Sequence, residues 1–158
     1  EGSSALLGAA LIVGFAKGVV LLLGGTDPAV PSLLNTILHF FVSILSHLSG
    51  FLAAWSMYAF QSVFNLFITS GSGQAALTMP LMAPLADLIG LTRQLAVLAF
   101  QLGDGLTNLI VPTSAALMGT LAVAKIDWIT WLRFQFRFQC FLIGLATIFL
   151  MAAYVTGF

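Results

Sequence analysis

The sequence predicts an all-α integral membrane protein with a re-entrant helical hairpin and a broken transmembrane helix. The first observation is composition: 60% of the 158 residues are hydrophobic and 6% are charged. Soluble domains carry about 25% charged residues, so this chain lacks the charge that a water-exposed surface needs. The second observation is that two polar, glycine-containing stretches, residues 70–74 and 103–114, interrupt apolar sequence. Because lipid cannot satisfy unwound backbone, we expect both stretches to face protein at one binding site.

Composition and motifs exclude several functions. Five basic and five acidic residues give zero net charge, so no basic face is available for nucleic acid. Cys140 is the single cysteine, which excludes an intrachain disulfide and a thiolate metal cluster. His39 and His47 have no third metal ligand nearby, and we interpret them as polar-face residues, with a proton relay as the alternative. Without a GxGxxG, P-loop, HExxH or defensible Ser/His/Asp set, the sequence predicts neither an enzyme nor a bound cofactor.

Residues 1–49 form a scaffold-like unit in this interpretation. Residues 3–23 are apolar and long enough to cross about 30 Å of hydrocarbon, and Gly14 and Gly18 allow another helix to approach closely. Residues 31–49 follow a turn and are amphipathic, so we favour a helix along the membrane surface over one that crosses with a polar side. The start at Glu1, without methionine or a signal-peptide pattern, favours a fragment of a longer protein.

Residues 51–89 predict the hairpin. The outgoing arm covers residues 51–68, the polar tip covers 70–74, and the return arm covers 75–88 with Pro80 and Pro84. A return arm of this length reaches only about 21 Å as a helix, less than the hydrocarbon core, so we expect the hairpin to re-enter rather than cross. Two ordinary spans joined by a surface turn remain the alternative.

Residues 92–124 predict the broken helix. Thr92 is a candidate N-cap, residues 94–103 form the first half-helix, and residues 114–124 form the second. Pro112 removes a backbone donor between them. Tryptophans and basic residues then mark residues 125–137 as an interfacial segment, which favours the cytoplasmic side, and residues 138–158 predict the last transmembrane helix. On this topology the hairpin enters from the outer face.

Helix ends give the two interruptions their chemistry. N-termini near Gln74 and Ser114 offer N–H groups to an anion, and C-termini near Ile68 and Gly105 offer carbonyls to a cation. Asp104 is the one acid well inside an apolar span and is a candidate to hold a cation, carry a proton or pair with a substrate amine; capping local backbone is the structural alternative. The predicted substrate and ion site comprises Ser70, Gly71, Ser72, Gly73, Gln74, Asp104, Gly105, Thr107, Asn108, Pro112, Thr113 and Ser114. Within it, Ser72, Thr107, Asn108 and Ser114 are candidate Na⁺ ligands.

Two motifs carry a family resemblance. They are Ser-Gly-Ser-Gly-Gln-Ala-Ala-Leu-Thr-Met-Pro at residues 70–80, and Gly-Asp-Gly-Leu-Thr-Asn with Pro-Thr-Ser within residues 103–114. This pattern resembles the anaerobic four-carbon dicarboxylate carrier family, and most closely its YfcC-like branch, described as basic amino-acid antiporters, in the ion transporter superfamily. The resemblance covers most of the chain and is strongest over residues 65–133.

The resemblance implies more than the residues do. Such carriers are multi-pass inner-membrane proteins, typically homodimers, built from two inverted repeats and working by an elevator motion. This chain is similar to the C-terminal repeat alone, which implies a partner repeat outside it. The leading hypothesis is therefore a secondary transporter, or its C-terminal half, for a small carboxylate-bearing solute such as a dicarboxylate or amino acid, coupled to Na⁺ or H⁺ or working by exchange. The alternative is a non-transporting membrane scaffold or assembly subunit.

Overall fold

The computed structural model describes residues 18, 21–22, 31–45 and 47–158, and every regular element in these ranges is helical. The longer helices are α1 (Leu33–Leu45), α2 (Gly50–Asn65), α3 (Gly71–Leu88), α4 (Arg93–Thr107), α5 (Ala115–Ala124) and α6 (Trp128–Thr156). The predicted first span, its Gly14–Gly18 spacing and the turn after it lie outside the described residues, apart from a few helical positions.

Helix α1 confirms that residues 31–49 are helical at their centre. It covers 13 residues, shorter than the predicted segment, and it packs against α3. Leu45 at its end is buried, whereas the polar residues Thr36 and His39 and the apolar residues Phe40 and Ile44 are exposed. Whether α1 lies along the membrane surface stays a prediction.

The core forms where α2, α3, α4 and α6 cross, and small side chains dominate it. Ala54, Ala86 and Ala99 are fully buried there. Gly103 lies at a close crossing of α2 and α4, since an added Cβ would stand 2.7 Å from Gln61 Cβ and 3.0 Å from the Ser62 backbone nitrogen. Close backbone approach through small residues is how membrane helices pack when lipid gives them no hydrophobic drive to associate.

Helix α4 corrects the predicted position of the second interruption. The first half-helix does not end at Gly103 but continues to Thr107, and the unwound stretch covers residues 108–114. Gly103 therefore serves packing against α2, and Gly105 lies on an open side of the same helix. The predicted N-cap at Thr92 is confirmed, because its side chain accepts from the Leu95 amide. Ser114, predicted as the first residue of the second half-helix, is instead the N-cap of α5 and accepts from the Leu117 amide.

The hairpin also differs from its prediction in one detail. The loop between its arms covers residues 66–70, and residues 71–74 form the first turn of α3 because the Ser70 hydroxyl caps that helix at the Gly73 amide. The return arm is thus 18 residues long, or about 27 Å, and not 14 residues. This length is close to the hydrocarbon thickness, so length alone no longer separates re-entry from crossing.

The α3–α4 turn is a polar corner. Gly90 has a φ of 74°, a left-handed conformation that glycine adopts without strain. Arg93 donates to Asp87 through Nε and Nη2, the shortest contact being 2.6 Å. These hydrogen bonds hold the pKa of Asp87 below its usual value, so the exposed pair stays ionised at neutral pH. An exposed ion pair of this kind marks the turn as a wetted surface and adds little stability.

Helix α6 is long and apolar enough to cross a membrane, and it is the one helix in the described ranges that meets both criteria. Its 29 residues reach about 43 Å, and it starts at Trp128, ten residues before the predicted last span. Asp127 caps it at the amides of Ile129 and Thr130. Outward-facing side chains of α6 such as Phe134, 76% exposed, and Val155, 71% exposed, are apolar, which suits contact with lipid.

The α2–α4 crossing can be tested by filling its glycine. We expect Gly103→Ala to destabilise the chain by about 1–3 kcal/mol, because the new methyl group meets backbone that cannot yield easily. Thermal unfolding in detergent micelles measures the change. The matched control is Gly105→Ala in the same helix, where nothing lies within 4 Å of the added methyl, and where stability should hold or rise. Equal effects of the two substitutions would contradict the packing role of Gly103.

Candidate functional site at the helix interruptions

The hairpin loop (residues 66–70) and the helix break (residues 108–114) are held against each other by two crossed hydrogen bonds. Thr69 Oγ1 donates to the Thr113 carbonyl at 3.3 Å, and Thr113 Oγ1 donates to the Leu66 carbonyl at 3.1 Å. Each threonine hydroxyl thus donates to a backbone carbonyl of the other segment, and that carbonyl lies outside regular helix. The structure therefore brings together the two interruptions that the sequence separates by about forty residues.

A cleft of about 720 Å³ opens beside this junction. Its polar wall contains Thr69, Ser70, Asn108 and Ser114, and Trp131 lies on another side. The remaining lining is apolar: Leu109, Ala115, Ala116, Leu117, Leu121, Ala124 and Ile126, with the Thr120 hydroxyl bonded back to its own helix. Since Ser114 is the N-cap of α5, the positive end of that helix faces the cleft.

Asp104 stands at the centre of a second cluster, next to the cleft. Its carboxylate Oδ1 accepts from Asn108 Nδ2 at 2.9 Å, and its backbone carbonyl accepts from Asn65 Nδ2 at 3.2 Å. Its Oδ2 lies against the start of α3, only 2.8 Å from where a Cβ on Gly71 would be. The acid therefore faces the positive N-terminus of α3, which offsets its unfavourable place in the last turn of α4.

This contact changes the expected role of one helix end. The sequence predicts that the N-termini of both α3 and α5 are open to an anion. In the structure both N-caps, Ser70 and Ser114, line the cleft, but the α3 end already faces the Asp104 carboxylate, which leaves the α5 end without a facing carboxylate. Gly71 permits this close approach, because an added Cβ would stand 2.8 Å from the carboxylate oxygen and the Asp104 side chain would have to shift.

The amide oxygens of the cluster lack donors. Asn65 Oδ1 and Asn108 Oδ1 are buried and have no hydrogen-bond partner among the described residues. Both side-chain nitrogens donate to Asp104, so the amide oxygens have no donor at the C-terminal ends of α2 and α4. Buried oxygens without donors are rare in folded proteins, and they are suited to a cation or an ordered water.

Gln74 belongs to the core and not to the cleft. Its Nε2 donates to the backbone oxygen of Gln61 at 2.9 Å and to Gln61 Oε1 at 2.8 Å, and both residues are fully buried. Thr78 continues this polar seam by donating to the Gln74 carbonyl. These hydrogen bonds link α2 and α3, the two arms of the hairpin, so Gln74 has a structural role.

The other predicted site residues are spread around the junction. Ser72 and Gly105 are exposed, Pro112 and Thr113 are exposed in the break, and Gly73 packs on Ser70. Among the four candidate Na⁺ ligands, Asn108 and Ser114 line the cleft, Thr107 is buried beneath it and Ser72 is exposed on α3. The structure therefore does not place all four on one wall.

Several residues of the junction were not predicted as site residues. Asn65 and Gln61 lie four residues apart on α2, a spacing that puts two amides on one face of a helix and could have identified them. Thr69 lies one residue before the predicted tip. Trp128 and Trp131 were assigned to the membrane interface from composition, and nothing in the sequence indicates which carbonyls their indoles meet.

In this structure two helix interruptions meet, and the helix ends beside them bound a cleft that has one polar wall. The chain belongs to the DcuC family of C4-dicarboxylate anaerobic carriers, whose family model matches residues 1–155. This is a family of carriers and not of enzymes.

Two relatives show how much of such a carrier the chain represents. It is 48% identical over its whole length to the "Putative basic amino acid antiporter YfcC" of Escherichia coli (strain K12), of which it covers 31%. It is 34% identical over 134 residues to an "Uncharacterized protein" of Haemophilus influenzae (strain ATCC 51907 / DSM 11121 / KW20 / Rd), covering 85% of this chain and 25% of that one. The chain thus spans about a third or less of the relatives it matches. No solved structure gives a significant match.

The crossed threonine bonds predict a local effect of substitution. We expect Thr113→Val to speed amide hydrogen exchange in residues 66–70 and 108–114 by about fivefold, because one bond worth about 1 kcal/mol between the two segments is lost. Mass spectrometry of the exchanged chain measures it. Thr113→Ser keeps the hydroxyl and should exchange like the unchanged protein. The account of the junction is wrong if valine and serine behave alike.

Proposed function

We propose that this chain is the C-terminal half of a secondary active transporter that moves a small carboxylate-bearing solute. The observation that carries the proposal is the junction itself: a 720 Å³ cleft bounded by two helix interruptions, with a carboxylate–amide cluster beside it. Transporters bind solute and coupling ion between broken helices because the free N–H and C=O groups there recognise both charges. Membership of a carrier family supports the same conclusion.

The solute carboxylate is proposed to bind at the N-terminus of α5. The amides after Ser114 have no helical acceptors, and the helix dipole favours a negative charge at this end. Ser70 and Thr69 supply neutral hydroxyls on the same polar wall. Asp104 already faces the α3 N-terminus, so this half of the site offers one anion-binding helix end and not two. This favours one carboxylate-binding position per repeat, and the rest of the solute would contact the opposite wall.

The coupling cation is proposed to bind at Asp104, Asn65 and Asn108. These residues supply a carboxylate and two amide oxygens without donors, beside the negative ends of α2 and α4. Hard cations such as Na⁺ prefer oxygen ligands, and a partly buried carboxylate such as Asp104 is also suited to carry H⁺. The proposal thus keeps Asn108 of the predicted Na⁺ ligands and adds Asn65 and Asp104 to it.

The remaining features of the proposal come from the family resemblance. We propose that α2 and α3 form a re-entrant hairpin, that a second, inverted repeat supplies the opposite wall of the cleft, and that the protein works as a multi-pass homodimer in the inner membrane. The open side of the cleft and the limited share of the relatives that the chain covers support a missing wall. In an elevator motion the hairpin loop and the helix break would move as one body, because hydrogen bonds join them.

Removing the charge of Asp104 tests the ion site. We expect Asp104→Asn to lower solute uptake about 10- to 100-fold, because asparagine keeps the shape but not the charge-assisted contacts, worth about 1.5–3 kcal/mol. Uptake is measured in proteoliposomes carrying a chimera in which these 158 residues replace the matching third of the Escherichia coli relative. This chimera supplies the rest of the polypeptide.

Asp87→Asn is the matched control for that substitution. It removes the same charge at the exposed α3–α4 corner, away from the cleft, and uptake should stay within twofold of the unchanged chimera. Undiminished uptake by Asp104→Asn would overturn the ion site. Absence of solute-dependent uptake by the unchanged chimera, with the parent relative active in parallel, would overturn the transport function.

A solute panel tests the carboxylate site and identifies the coupling ion. Thermal unfolding of the chimera is measured with dicarboxylates, basic amino acids and matching amines without a carboxylate, each with Na⁺ or with K⁺. We expect stabilisation by carboxylate-bearing solutes alone, by about 2.7 kcal/mol at a hundredfold excess over Kd. Equal stabilisation by the amines would place the recognition elsewhere.

A further inference from the structure

Side chains on one face of α6 donate hydrogen bonds to the helix break and to the end of α4. Trp128 Nε1 donates to the Ile110 carbonyl and Trp131 Nε1 donates to the Leu109 carbonyl, both at 2.9 Å. Gln139 Nε2 donates to the Leu106 carbonyl at 3.0 Å. At about 100° per residue these three positions lie within about 80° on the helix, so one face of α6 meets three carbonyls of the α4 end and the break.

These donors replace helix hydrogen bonds. In a continuous α-helix the carbonyls of Leu109 and Ile110 would accept from the amides of residues 113 and 114. Here the indoles occupy those carbonyls, and the Ser114 amide bonds to Val111 instead. An indole N–H is a donor only, and each of these bonds pairs it with a carbonyl of the break. The Trp128 bond is partly buried, and the Trp131 bond is exposed.

Trp131 has a second contact, with the cleft. It lines the cleft together with Asn108 and Ser114, so the residue that fixes the break also faces the space where a solute would bind. Trp55, the third tryptophan of the chain, provides the contrast. It donates to Thr147 Oγ1 at 3.3 Å, between α2 and α6, and touches neither the break nor the cleft.

We propose that Trp128 and Trp131 are positioning residues that hold the break unwound, and that Trp131 also forms one wall of the solute site. This inference rests on the proposed transport function. The indoles keep residues 108–114 from closing into helix and so keep the α5 N-terminus exposed to the cleft. The break and α6 consequently move together, because the bonds that shape the break come from α6.

The test is the double substitution Trp128→Phe/Trp131→Phe in the chimera, with Trp55→Phe as the matched control. Phenylalanine keeps a six-membered aromatic ring but lacks the pyrrole ring and its N–H donor. Losing two donors leaves the binding-competent break less populated, so we expect KM for the solute to rise about tenfold or more while the maximal rate falls less. Trp55→Phe should leave both constants within twofold.

A local measurement separates this inference from the transport function. Hydrogen exchange of residues 108–114, followed by mass spectrometry without solute, should be about tenfold faster in the double variant and unchanged in Trp55→Phe. Unchanged exchange and KM in the double variant would overturn the positioning role. If the unchanged chimera shows no uptake, the transport function fails, and the exchange result still decides what the indoles do.

The cleft contact of Trp131 has its own readout. With 5-fluorotryptophan in the chimera, fluorine resonances are assigned by their loss in single Trp→Phe variants. Saturating solute should shift the Trp131 resonance and leave that of Trp55 in place. A shift at Trp55 alone, or at neither residue, would overturn the assignment of Trp131 to the solute wall. Trp131→Phe by itself, which keeps the Trp128 bond, provides the assay if the double variant does not fold.

Discussion

Unwound backbone inside a membrane protein must find its hydrogen-bond partners within the protein, and this constraint shapes the whole structure. Lipid offers none, and each unsatisfied group costs several kcal/mol. The chain unwinds twice between apolar helices, and side chains meet the freed carbonyls in both places. Thr69 and Thr113 exchange contacts across the junction, and Asn65 and Gln139 reach carbonyls near the end of α4. The interruptions are therefore built parts of the fold, which need specific residues around them.

The same constraint explains why charge is concentrated at this point. Helix ends that meet near one place bring partial charges of both signs together. Asp104 lies where the negative end of α4 meets the positive end of α3, and two asparagines donate to it. What remains open is one positive helix end, at Ser114, and two amide oxygens without donors. The proposed coupled transport rests on these two features lying side by side.

Local signals in the sequence predict the helix limits that depend on capping. Thr92 and Pro112 have physical effects that operate within a few residues, and the structure confirms the N-cap at Thr92 and unwound backbone around Pro112. Glycine is less informative because it serves two purposes. The sequence predicts that the interruption begins at Gly103, but this glycine lies inside α4 and permits contact with α2. Gly71 likewise permits contact with Asp104. Only the three-dimensional arrangement distinguishes a flexible position from a tight crossing.

Tertiary partners set the rest of the site, and the sequence contains them only implicitly. Asp104 and the two asparagines could be identified as polar residues in apolar surroundings, yet their pairing depends on how α2 and α4 cross. Trp128 and Trp131 have the composition typical of a membrane interface, and their donors nevertheless reach the break. Gln74 was assigned to the site from its place in the motif, and the structure gives its amide to Gln61 in the core.

The central claim is that the two interruptions form one wall of a solute site. The most direct measurement is a cryo-electron microscopy structure of the full-length chimera with a solute that it transports. The account predicts density in the cleft between the hairpin loop and the helix break, with a carboxylate at the α5 N-terminus beside Ser114 and with Trp131 in contact. Solute density elsewhere, with this cleft filled by lipid or by packed side chains, would contradict it.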